Sequence, residues 1–93
     1  MTNPYTEKVL EQHGTGKKFI LRTFDETVDE KDLIWHRDKK SRTIHILDGI
    51  GWKLQMEDNL PVELCVGQDH FIMKDSYHRI IKGERNLTIR IEE

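Results

Sequence analysis

Three residues of this chain carry its most specific chemistry: His36, Asp38 and His78. His36 and Asp38 stand two apart, so on an extended strand both side chains leave the same face. His78 opens a later strand candidate, and a sheet that closes on itself would bring all three together at the mouth of a barrel. Two imidazoles and one carboxylate form a facial triad, a donor set suited to Fe(II) and also accepted by Mn, Ni or Zn. The coordination positions left open would admit water or substrate. Of the other histidines, His13 lies in an N-terminal arm and is expected to be solvated. His45 alternates with Ile44 and Ile46, so it should face away from them. His70 shares its strand face with Ile72 and is a candidate replacement ligand or base near the site. Cys65 is the single cysteine. No base stands near it in sequence to activate a thiolate, so it is not read as a nucleophile.

The elements that would position these groups are strands. The chain has no alanine, the strongest helix former, and has ten isoleucines, whose branched side chains favour strands. Short apolar runs separated by turn chemistry fall at residues 17–24, 33–37, 42–47, 51–57, 61–66, 70–73, 78–81 and 87–91. Asp48-Gly49 is a strong hairpin signal. Trp52, Leu54 and Met56 alternate with Lys53, Gln55 and Glu57 and are expected to face the core. Short strands at regular spacing without crossover helices imply an all-β, antiparallel sandwich or jelly-roll barrel. Residues 1–16 read as an arm, with one or two helical turns over residues 6–12. Residues 17–93 read as one domain. Tyr77, beside His78, is placed to donate a hydrogen bond at the barrel mouth.

From about residue 33 to residue 90 the spacing resembles the small single-domain cupins. Their first motif is G-x(5)-H-x-H-x(3,4)-E-x(6)-G. Here His36-Arg37-Asp38 is followed at the same intervals by Arg42 and Gly49, with Glu30 at the opening glycine. Their second motif is G-x(5)-P-x-G-x(2)-H-x(3)-N. Gly67 and His78 match it, while Met73, Asp75 and Lys82 stand at the proline, second glycine and asparagine positions. The resemblance implies a double-stranded β-helix with His36 and His78 as metal ligands and Asp38 in place of the second histidine. It puts Arg42 where the family has a metal-binding glutamate. Arg42 could repel the metal, pair with Asp38, or hold an anionic substrate in its planar fork. At the level of residue types the H-x-D…H set also resembles 2-oxoglutarate oxygenases, whose longer chains add buttressing helices that 93 residues cannot supply.

The net charge of -2 gives no basic field for nucleic acid. No apolar run is long enough to span a membrane as a helix, and residues 2–8 are too polar for a secretory signal. A lone cysteine excludes an internal disulfide and fits a reducing, cytoplasmic setting. Two functions are expected to compete. One is a cupin binding a divalent metal (Fe, Mn, Ni or Zn) and a small polar or anionic ligand, with Arg42, His70 and Tyr77 as ligand contacts. The other is a metal-free, non-catalytic binding or interaction protein with a vestigial site. The substrate and reaction stay open. A homodimer is expected, because a sandwich leaves edge strands to cover; the arm or residues 17–24 would add to a partner's sheet.

Overall fold

Alternating isoleucines give each strand one face that must be covered. The computed structural model, which describes residues 4–11 and 14–93, covers those faces by packing two antiparallel sheets together. Among the described residues the strands are β1 (Tyr5–Glu11), β2 (Lys18–Phe24), β3 (Arg42–Ile50), β4 (Lys53–Met56), β5 (Val62–Glu63), β6 (Asp69–Ile72), β7 (His78–Ile81) and β8 (Glu84–Glu92). The larger sheet runs β1-β2-β8-β3-β6 and the smaller β5-β4-β7. The core draws on both: Phe24, Ile44, Ile46, Ile72, Leu87, Ile89 and Ile91 from the larger sheet, and Leu54 and Ile80 from the smaller. This is the all-β sandwich expected from the alternation.

Two ribbons form one corner of the sandwich. β3 leads into β4 and β7 into β8, and each passes from one sheet to the other. The two crossings press together. A Cβ built on Gly83 would stand 2.3 Å from the Trp52 nitrogen and 2.4 Å from both the Gly51 carbonyl carbon and the Ile50 oxygen. Position 83 therefore needs glycine because two backbones touch there. Trp52 is fully buried at this corner. Its indole Nε1–H donates to the carbonyls of Glu84 at 3.1 Å and Arg85 at 3.0 Å. Register shifts between Ile46 and Asp48 and between Asp48 and Ile50 bend β3 toward the crossing.

Several local expectations are corrected. The helical turns expected over residues 6–12 are strand β1, paired with β2 from Tyr5↔Phe24 to Glu11↔Lys18; Gln12 lies outside the described residues. A seven-residue hairpin supplies hydrogen bonds that one or two uncapped helical turns cannot hold in water. β2 lies between β1 and β8, so both its edges are taken and it has none to offer a partner. Residues 33–37 give only a bridge, His36 to His78, and Ile34 and Trp35 are exposed. Asp48-Gly49 does not reverse the chain, and β3 runs on to Ile50. Of residues 61–66, only Val62–Glu63 is strand; Leu64 is buried while Val62 and Val66 are exposed.

Candidate metal centre

His36 and His78 are direct antiparallel partners. Each backbone N–H donates to the other's carbonyl at 2.9 Å, which sets both side chains on one face. On its other edge β7 pairs with β4 through Met56↔His78, so His36 extends the smaller sheet by one position. The imidazoles meet edge to face with centroids 4.3 Å apart. Asp38, two residues on, reaches the same place. Its carbonyl accepts the Asp75 N–H at 2.7 Å. Asp75 holds φ 63°, the left-handed conformation that aspartate tolerates better than most residues. The glycine of the second cupin motif is thus replaced by a residue that can hold a glycine-like turn. One ligand atom from each of His36, Asp38 and His78 lies within 4.8 Å of the others, the one such group found among the described residues.

The far side of each ring decides what faces the centre. His36 Nδ1 lies 3.1 Å from the Ile34 carbonyl and His78 Nδ1 lies 2.8 Å from that of Ser76. A carbonyl only accepts, so Nδ1 carries the proton and Nε2 of the neutral ring presents a lone pair. Burial holds His78 below its ordinary value of 6.5. The Ser76 carbonyl and Asp38 oppose this, His36 and Arg42 reinforce it, and burial prevails. His78 is therefore neutral at neutral pH. Its Nε2 stands 3.3 Å from Asp38 Oδ2, so two acceptors face each other. That carboxylate oxygen is buried with no hydrogen-bond partner among the described residues. A divalent cation would satisfy both lone pairs and the carboxylate together. The donor set, and the backbone carbonyls orienting both rings, fit a metal.

Arg42 adjoins this group. Its Nε is 3.6 Å from Asp38 Oδ2, beyond hydrogen-bond range, and its Nη2 donates to Glu93 Oε2 at 2.7 Å. Glu93 is brought opposite by the β3–β8 register, in which Thr43 pairs with Glu92. Arg42, Asp38, His36 and His78 share the wall of a cavity of about 550 Å³ between the sheets. Ile44, Ile72, Ile80, Ile89 and Ile91 form much of the remaining wall.

The other candidates lie apart. His70 is the cross-strand neighbour of Ile44, but it does not line the cavity and its buried Nε2 has no hydrogen-bond partner among the described residues. Tyr77 lines a separate groove with Trp35 and Gln55, under the Arg37 guanidinium. His45 pairs with Asp69 and Glu92 on the neighbouring strands. Cys65 is exposed, and His13 lies outside the described residues. Sequence reasoning missed Arg22, which also lines the cavity. Its place between Ile20 and Phe24 in the β2 alternation was the available signal. Its Nε donates to Glu7 at 2.8 Å and its guanidinium stacks 3.9 Å from the Tyr5 ring centroid.

No family model matches the sequence, and no curated protein does either. Solved structures do match. A protein of unknown function (DUF1255) from Acidithiobacillus ferrooxidans aligns with TM-score 0.77 at 16% identity, over 97% of this chain and 78% of that one. A cupin-2 domain protein from Shewanella frigidimarina aligns with TM-score 0.73 at 17% identity, over 100% of this chain and 83% of that one. The DMSP lyase DddQ from Ruegeria pomeroyi aligns with TM-score 0.75 at 15% identity, over 95% of this chain but only 45% of the lyase. At such identities the likeness shows the fold, and that fold is a small cupin.

Proposed function

We propose that this cupin-fold chain binds one divalent metal through His36, Asp38 and His78, and a small polar or anionic ligand in the adjoining cavity. One observation carries the reading. Backbone carbonyls hold both Nδ1 protons, so the His78 Nε2 lone pair faces, at 3.3 Å, a buried Asp38 oxygen with no hydrogen bond among the described residues. When bound, such an ion polarises a substrate oxygen or lowers the pKa of bound water. The chain's own residues do the rest. The Ile34 and Ser76 carbonyls orient the two rings, Asp38 supplies a carboxylate, and isoleucines line much of the cavity.

A second reading rests on Arg42. A guanidinium 3.6 Å from Asp38 supplies positive charge where the cupin motif has a metal-binding glutamate, which favours a metal-free binding protein. Elemental analysis of untagged protein purified without chelators separates the two. Near-stoichiometric iron, manganese, nickel or zinc is expected, and its loss in a His36→Ala/His78→Ala double variant. The variant keeps the backbone bridge, and circular dichroism checks its fold. Wild-type protein without metal, even after supplementation, would overturn the first reading in favour of the second.

A further inference from the structure

Two buried polar atoms stand side by side in the cavity wall, an ion pair with no hydrogen bond to either atom among the described residues. Asp38 Oδ2 is an acceptor and Arg42 Nε a donor, 3.6 Å apart. Burying such groups without hydrogen bonds is unfavourable. Each asks for a different complement: the carboxylate oxygen a cation, the guanidinium N–H an anion. The other cationic side chains of the wall are differently placed. Arg22 gives its Nε to Glu7 and stacks on the Tyr5 ring, and the Lys31 side chain is 79% exposed; Arg42 gives Nη2 to Glu93 but keeps its buried Nε without a hydrogen bond among the described residues. Beyond Arg42 the wall turns apolar. Ile72 is its cross-strand partner, Ile44 is next on its own face, Ile91 pairs with Ile44, and Ile80 comes from the opposite sheet. A volume of about 550 Å³ is within the size range of small-molecule sites.

We infer that the cavity takes a small amphiphilic carboxylate. Its head is received by Arg42 beside His36, Asp38 and His78, its hydrocarbon body lies on the isoleucine wall, and Arg42 makes anion and metal binding mutually dependent. This rests on the metal reading of the site. Without an anion the guanidinium repels an incoming cation and competes for Asp38. A carboxylate received at Arg42 Nε, beside the Glu93 carboxylate already on Nη2, offsets the guanidinium charge that Asp38 otherwise faces and weakens that opposition. Linkage then requires the metal to strengthen carboxylate binding by the same factor.

Calorimetric titration of the full chain with Zn²⁺ tests this, alone and with excess hexanoate, acetate or hexanamide. Hexanoate should tighten Zn²⁺ binding by about tenfold, within the usual span of couplings between sites. Acetate should do less, for want of a hydrocarbon body, and neutral hexanamide nothing. Hexanoate that merely complexes Zn²⁺ in solution would weaken the apparent binding, so tightening reports a ternary complex. Arg42→Gln should bind Zn²⁺ more tightly than wild type without hexanoate and lose the enhancement. Arg42→Lys, which keeps the charge, should retain part of it and guards against misfolding of the first variant. Zn²⁺ binding that hexanoate leaves unchanged, that hexanamide or acetate enhances as much, or that hexanoate still enhances in Arg42→Gln, overturns this inference and leaves the metal site standing. No Zn²⁺ binding under any condition overturns both.

Discussion

A histidine kept neutral by burial makes a fold sensitive to acid. In the unfolded chain His78 takes its proton near 6.5, and in the folded chain only at a lower pH. Between those values the unfolded state binds more protons, so stability falls as pH drops below about 6.5 and levels off below the folded value. Above 6.5 the group contributes no pH dependence. Asp25, which Thr27 holds below 3.8, adds its own loss only in stronger acid. The urea midpoint of the metal-free protein should therefore be lower at about pH 5 than at about pH 7.5, and His78→Gln should flatten that difference. An unchanged midpoint across this window would show that burial does not govern His78. The convergence of His36, Asp38 and His78 was legible because strand alternation fixes which residues share a face: His36 and Asp38 are two apart, and His78 begins a strand. The direction of Arg42 was not legible. It depends on Glu93, a residue 51 positions away in sequence, which only the β3–β8 register brings opposite. Tyr77, just before β7, lines a separate groove with Trp35 and Gln55, a placement that adjacency to His78 in sequence does not reveal.

At the scale of elements, the corner where both ribbons change sheets holds the site in place. β7 carries His78 to the group it forms with His36 and Asp38 and then crosses at Gly83 into β8, just beyond whose end Glu93 meets Arg42. Gly83→Ala should cost about 3 kcal/mol, the upper end of usual overpacking penalties, because its Cβ would overlap backbone atoms at 2.3–2.4 Å that no rotamer change can move. Gly51→Ala meets nothing closer than 3.8 Å and carries only the strain of φ +75°, about 1–2 kcal/mol. Urea denaturation of both variants would rank them, and a Gly83→Ala no worse than Gly51→Ala would mean the corner yields. Such contacts leave little trace in sequence. Asp48-Gly49 read as a hairpin because its residue types suit one, yet the β3–β8 pairing continues through it with an irregular register. Residues 6–12 read as one or two helical turns because Gly14-Thr15-Gly16 follows as a stop signal; the strand character of β1 comes from its partner β2. By contrast, residues 42–47, 51–57, 78–81 and 87–91 were legible because each has one wet face and one core face.

At the scale of the whole molecule, the edges of the larger sheet decide what else the protein meets. β6 closes one side with four residues, while β1 leaves seven residues open on the other. Val9 is 65% and Leu10 45% exposed along that edge. A long, apolar-bearing edge strand is a template for another strand, and self-pairing about a two-fold axis would continue the five-stranded sheet into a second copy. Pro4 and Tyr5, at the start of this hairpin, also line the cavity, so a copy docked on β1 would lie near that cavity. We expect a homodimer at micromolar concentration by sedimentation velocity. A Val9→Lys/Leu10→Lys variant should shift it to monomer by placing like charges along the shared edge, with metal stoichiometry unchanged because neither residue touches the centre. A monomeric wild type would remove the dimer altogether. A dimer that persists in the variant would move the interface to the β6 edge, where Phe71 and Met73 are exposed.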